Sequence, residues 1–226
     1  MQYPGCVTAT FLARPNRFVA KIVLEGREET VHVKNTGRLR ELLQPGVTVI
    51  LAEGNNPARK TKYDLVAVQK SDGFVNIDSQ APNFVAAEWL PHSGLFSDKA
   101  VIRREVTFGA SRFDLFVEDG DRKAFIEVKG VTLDQGGTAR FPDAPTERGI
   151  KHIEELIRAR ETGFETYLLF VIQMKGVTAF APNDDTHPGF GAALRKADAA
   201  GVKILAMDCV VTADSLAIDT PISVQL

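Results

Sequence analysis

Apolar and polar positions alternate in short runs over the first third of the chain, the period expected of half-buried strands. The runs fall at residues 6–13, 17–24, 30–34, 47–53 and 61–69. Turn-forming clusters at Arg14-Pro15-Asn16 and Gly54-Asn55-Asn56-Pro57 separate them. Between the third and fourth runs, Leu39, Leu42 and Leu43 fit one short helix closed by Pro45-Gly46. Five short strands with a helix after the third is the layout of an OB-type β-barrel, although any small meander barrel shares the pattern.

The pattern changes near Gln80. Asn83 is positioned to cap a helix through residues 84–90, ended by Pro91 and Gly94. Strand patterns follow at 101–108, 111–117 and 123–131. Residues 146–163 carry Ile150, Ile153, Leu156 and Ile157 at helical spacing, with Thr146 as N-cap and Gly163 just past the end. Residues 167–172 form a continuous apolar run, as in a strand covered on both faces, and a last helix (189–201) and strand (202–208) complete the order α-β-β-β-α-β. A barrel domain over 1–80 and an αβ domain over 81–226 follow from this division, giving an α+β chain.

The middle hairpin carries the chemistry. A loop centred between Gly120 and Asp121 sets Val117 opposite Ala124, Leu115 opposite Ile126 and Phe113 opposite Val128, which makes one face wholly apolar. The other face pairs Phe116 with Phe125 and Asp114 with Glu127, with Lys129 one step along the same side. Like charges directly opposite on neighbouring strands are destabilising, so this pair calls for a cation. Lys129 serves in part. A hard divalent ion such as Mg2+ or Mn2+ serves better, because it prefers carboxylate oxygens and keeps exchangeable sites for a phosphate. Lys129 is then placed to orient the attacking water or to stabilise charge on the phosphate. A solvated face of alternating charges is the other way to read the same residues.

Charge and cysteine content narrow the picture further. The 226 residues are 44% hydrophobic and 25% charged, enough for a sizeable core, and the net charge of −2 argues against a histone-like binder. Residues 1–80 nevertheless hold 11 basic and 8 acidic side chains, a net of +3, which leaves −5 for the rest. Cys6 and Cys209 form no zinc-ligand spacing. The opening residues lack the apolar stretch of a signal peptide and no run is long enough to span a bilayer, so the expectation is a cytoplasmic protein with no membrane partner.

Asp114…Glu127-Val128-Lys129 on successive strands of an αβββαβ core resembles the PD-(D/E)xK nuclease signature. The blocks NTG (35–37), RREV (103–106), SRFDLF (111–116), IEVKGVTL (126–133) and FPDAPTERGIKH (141–152) resemble the sugar fermentation stimulation protein A family. NPARKTKYDLVAV (56–68) and VNIDSQAPN (75–83) extend the likeness over nearly the whole chain. The resemblance implies an N-terminal OB-type domain, a nuclease-like C-terminal domain, DNA binding without strong sequence preference, and a link to regulation of sugar (maltose) catabolism. It also implies that Asp114 and Glu127 bind a metal, that the Val128 carbonyl and Glu88 add ligands, and that Lys129 is the catalytic lysine. Phe113 stands where the nuclease motif often has proline.

Further residues suit phosphate contact. Arg148 and His152 share a stripe of the long helix, facing either the scissile phosphate or plain solvent. Arg112 and Arg140 flank the same region. In the barrel, Arg14 and Arg17 border one turn, Lys34, Asn35 and Arg38 surround the Asn-Thr-Gly bend, and Arg59, Lys60 and Lys62 form a basic run. Aromatic platforms are sparse, since Phe11 and Phe18 are assigned to the core and only Tyr63 remains. Asp184-Asp185-Thr186-His187 is read as a polar turn rather than a second metal site. Three functions remain open: a metal-dependent nuclease, a non-catalytic DNA-binding regulator, and a phosphodiesterase acting on RNA or a small nucleotide.

Overall fold

In the computed structural model, which describes residues 1–54, 58–71 and 73–226, the barrel and the αβ domain share one apolar interior. Five strands build the barrel: β1 (Val7–Asn16), β2 (Val19–Leu24), β3 (Arg27–Val33), β4 (Thr48–Glu53) and β5 (Tyr63–Lys70). Antiparallel neighbours run in the order β3-β2-β1-β4-β5, and a short parallel pairing of β3 with β5 closes the ring. This is the closed five-stranded OB barrel. A further strand, β6 (Gly73–Asn76), extends β5 toward the second domain. The expected turn at Asn55-Asn56-Pro57 lies outside the described residues.

Among the described residues, no helix separates β3 from β4. Leu39 takes a left-handed φ of 50°, so the segment closes as a single turn in which Leu42 and Leu43 N–H groups donate to the Leu39 carbonyl. The three leucines still plug the barrel, because burial needs only their position and not a continued helix. Arg14 holds the preceding bend. Its guanidinium donates to the carbonyls of Asn35, Gly37 and Arg38 across the barrel mouth, and to that of Arg17. Phe18, assigned to the core from sequence, is instead 58% exposed on the β1–β2 turn, whereas Phe11 is buried as expected.

The second domain opens with α1 (Ala81–Trp89), which starts three residues earlier than expected, with Pro82 in its first turn. Pro fits there because the first helical N–H groups lack partners in any case. Asn83 therefore lies inside the helix rather than capping it. Strands β7 (Val101–Phe108), β8 (Ser111–Asp119) and β9 (Arg122–Val131) follow as an antiparallel meander. A small sheet begins with β10 (Leu133–Gln135) and β11 (Thr138–Phe141). Next come α2 (Glu147–Glu161), β12 (Glu165–Ile172), β13 (Ala179–Pro182), α3 (Pro188–Ala199), β14 (Lys203–Val211), β15 (Leu216–Pro221) and β16 (Ser223–Val224). The main sheet runs β15-β14-β12-β9-β8-β7, and the small one β10-β11-β13-β16.

β12 lies between β9 and β14, parallel to both, and its apolar run is buried on both faces as the sequence suggests. Leu168, Phe170 and Ile172 face α2 and α3, while Tyr167, Leu169 and Val171 face α1 and Phe96. On α2 the Thr146 hydroxyl accepts from the Gly149 N–H at 3.0 Å, Arg158 and Arg160 occupy the last turn, and Gly163 has a φ of 97°. Each end thus satisfies groups the helix leaves open. The domain boundary is crossed at the chain start: the Met1 ammonium pairs with Glu88 at 2.6 Å and Gln2 bridges to Ser215. No helix among the described residues is long and apolar enough to cross a membrane.

Candidate active site

The hairpin register is the one the apolar pattern requires, as far as its open end. Asp119 pairs with Arg122, Val117 with Ala124, Phe116 with Phe125 and Leu115 with Ile126, around a two-residue turn in which Gly120 takes a φ of 61°. Beyond Leu115 the strands part. The expected pairs Asp114–Glu127 and Phe113–Val128 do not form. Phe113 packs against Phe125 and His152 on the α2 side instead of joining Leu115 and Val117 on the α1 side. On the other flank, β7 pairs through Arg104–Leu115 and then Val106–Phe113, omitting Glu105, whose φ is 56°. A glutamate rarely occupies this region, and such strain clusters at functional sites.

This irregularity frees Asp114 from the ladder. Its Oδ2 accepts the Val128 N–H at 2.7 Å, in the place of a main-chain carbonyl, and its Oδ1 accepts from Asn83 of α1 at 2.7 Å. Glu127 is addressed from the α2 side: its Oε1 accepts from Lys129 Nζ at 2.6 Å and from His152 Nδ1. Arg148 Nε donates to the other ring nitrogen of His152 at 3.4 Å, so both contacts fit a neutral imidazole protonated on Nδ1. Glu127 is 2% exposed, yet its Oε2 has no hydrogen-bond partner among the described residues. A buried carboxylate oxygen without a partner is costly to keep.

Both carboxylates open onto one cavity of about 210 Å3, also lined by Asn83, Lys129, Arg148 and His152. Burial, then the charge of Glu127, pushes the Asp114 carboxyl up to about 6. Burial also opposes ionisation of Glu127, but His152 and Lys129 outweigh it and hold its pKa below the ordinary value. Two acids in one pocket with oppositely displaced affinities for a proton are a pattern found at functional sites. Among the described residues no three His, Cys, Asp or Glu side chains converge on one point. A divalent ion here would rest on two carboxylates and complete its shell from main-chain, water or substrate oxygens, the pattern of Mg2+.

Comparison with known proteins follows the same division of the chain. A family model described as the SfsA N-terminal OB domain matches residues 12–77, and one described as the sugar fermentation stimulation protein RE domain matches residues 80–215. The chain belongs to the sugar fermentation stimulation protein family. A homologue of that name from Desulfitobacterium hafniense (strain Y51) is 54% identical over 226 residues, covering 100% of this chain and 99% of the relative. One from Clostridium beijerinckii is 48% identical and is matched over 100% of both chains. The solved structure of Pyrococcus furiosus SfsA in complex with Ca2+ superposes with a TM-score of 0.88 at 28% identity, over 100% of this chain and 98% of that one.

The remaining expected site residues divide sharply. Arg112, Arg148 and His152 line the cavity, and His152 is buried rather than solvent-facing. Arg17, Asn35 and Arg140 line an adjoining cleft. Glu88 does not belong to either cavity: it is exposed and paired with the chain's own amino terminus. Arg14 is committed to four carbonyls, Lys34 to buried Asp78 at 2.9 Å, and Arg59 to Asp64 at 2.5 Å. Arg38 and Lys60 are exposed, and Lys62 pairs with Glu53 and lies over the Tyr63 ring. In the turn at 184–187, Asp184 pairs with Arg195 and His187 with Glu147. Asn83 and Glu105 were missed. An apparent cap position concealed the first, and an unremarkable strand pattern the second.

Proposed function

We propose that this protein is a divalent-metal-dependent phosphodiesterase acting on nucleic acid, with a PD-(D/E)xK nuclease-like second domain. The observation that carries the reading is buried Glu127, whose Oε2 has no hydrogen-bond partner among the described residues and which lines the same cavity as Asp114 and Lys129. Asp114 and Glu127 would hold the ion, with the Val128 carbonyl as a further donor. When bound, such an ion supplies Lewis-acid polarisation of the phosphoryl oxygens. Lys129 leaves Glu127 to donate to the phosphate as negative charge develops, or to orient the attacking water. Arg112 and Arg148 supply positive charge along the cavity wall, and His152 keeps Glu127 oriented. The Pyrococcus furiosus relative was solved in complex with Ca2+, which is consistent with a hard-cation site in the family.

A non-catalytic DNA-binding role draws less support from the site, although the relatives' name refers to stimulation of sugar fermentation. Two clustered carboxylates repel a polyanion unless a cation lies between them, and a pure binder gains nothing from them. Supercoiled plasmid, single-stranded DNA and RNA incubated with Mg2+ or Mn2+ provide the test. Products that need metal and fall at least ~100-fold in both Lys129→Ala and Asp114→Ala are expected. Intact substrates throughout, with salt-sensitive DNA binding kept by both variants, would overturn catalysis in favour of the regulator.

A further inference from the structure

A second cavity, of about 370 Å3, lies between the barrel and the second domain and shares Ser79 and Gly130 with the candidate active site. Its walls bring together Arg17 from the β1–β2 turn, Asn35 from the barrel bend, Arg140 from β11 and Thr146 at the start of α2. Arg140 makes one long donation to the Pro182 carbonyl at 3.2 Å, and its Nε is buried with no partner among the described residues. The Arg17 guanidinium likewise has no hydrogen-bond or ion-pair partner among the described residues. The one acid in the lining, Asp143, already accepts the Arg38 N–H, and a Cβ added at Gly37 would come within 2.8 Å of it. A chain of net charge −2 therefore holds two cations with spare donors in this one cleft.

Phe18 follows Arg17 on the same turn and is 58% exposed. The turn is fixed rather than loose, since the Phe18 carbonyl accepts from Val33 and Arg14 ties the Arg17 carbonyl to the bend. The cleft has the volume of one nucleotide-sized group, pockets of roughly 300–1,000 Å3 being those that enclose small ligands. A duplex keeps its bases stacked inward and presents mainly its backbone, so it fills neither the cleft nor the aromatic face. A single strand can do both, because its bases are free to splay and stack.

Resting on the reading that the site meets nucleic-acid phosphates, we propose that the substrate is a single-stranded polynucleotide. One nucleotide next to the scissile phosphate occupies the interdomain cleft, Arg17 and Arg140 take its phosphates, and Phe18 stacks a neighbouring base. Fluorescence anisotropy tests this with labelled DNA and RNA strands of about ten nucleotides and the matching DNA duplex, in a Lys129→Ala background that prevents turnover. The single strands should bind at least ~10-fold tighter than the duplex, and the tighter of the two names the sugar. Phe18→Ala should weaken single-strand binding about tenfold and Phe18→Trp should restore it, with duplex binding unmoved. Arg140→Gln should lower the slope of log Kd against log salt by about 0.7. Equal or tighter duplex binding, or a neutral Phe18→Ala, overturns the proposal. Cleavage by the wild type separates the two readings. Metal-dependent cutting confined to duplex sinks the single-strand inference alone, whereas Phe18-dependent strand binding without any cutting supports it and sinks the phosphodiesterase.

Discussion

Asp114 sits where its ionised form is disfavoured, and that has a consequence for stability. Its carboxyl is raised from 3.8 to about 6, by burial first and Glu127 second. The folded state therefore binds a proton more tightly than the unfolded one. The stability this contributes is complete below the unfolded value near pH 4 and lost as pH rises through about 6. In chelator, Asp114→Asn should be more stable than the wild type at pH 7.5 by roughly 2 kcal/mol, with the gap closing between pH 6 and 4. Thermal unfolding across that range checks it, and a gap independent of pH would contradict the assignment. Asp114, Glu127 and Lys129 were legible as residues because strand alternation isolates them among apolar neighbours. The contacts of Asn83 and His152 were not, since they depend on how two helices lie over the end of the hairpin.

Among the elements, the bend between β3 and β4 departs furthest from expectation. Three leucines at helical spacing predicted a helix; all three are buried, but the left-handed backbone at Leu39 ends the turn at once. The decisive partner is Arg14, 21–24 residues away from the Asn35, Gly37 and Arg38 carbonyls it binds. Arg14→Ala should cost about 2–3 kcal/mol, because two part-buried and two exposed carbonyls lose a charged donor together. Arg14→Lys should recover little of this, as an ammonium cannot present the same fork. Chemical denaturation measures both effects. Faster proteolysis at residues 35–46 in either variant would locate the damage, and wild-type stability of Arg14→Ala would refute the structural role.

At the scale of the whole molecule, the two domains behave as one packed unit. A single buried cluster continues from Phe11, Ile22 and Leu65 of the barrel to Phe113, Phe170 and Phe190 of the second domain. Gln173, after β12, reinforces the join: its N–H donates to the Val131 carbonyl, its own carbonyl accepts from Asn76, and its side chain donates to Asn76 and to the Asp78 carbonyl. Asp78, fully buried, accepts from Lys34 and Tyr3. Unfolding should therefore be a single calorimetric transition, with equal calorimetric and van't Hoff enthalpies. Gln173→Ala should lower stability by about 1–3 kcal/mol, because the buried Asn76 side-chain oxygen keeps only the Asp78 N–H and the Asp78 carbonyl loses its side-chain donor. Two resolved transitions in the wild type would contradict the shared core.

By itself the sequence determined the five barrel strands, the α-β-β-β-α-β order of the second domain, the register of the β8–β9 hairpin near its turn, and the three residue types at the site. Those features are local, set by alternation, spacing and turn chemistry over a few residues. The tertiary structure alone decided that β8 and β9 part at Asp114, that Glu88 turns to the chain terminus while Asn83 and His152 reach the carboxylates, and that Phe18 faces solvent. It also built the interdomain cleft, from residues far apart in the chain. Such outcomes depend on which distant surfaces compete for the same space and the same donors, information that no short window of sequence contains.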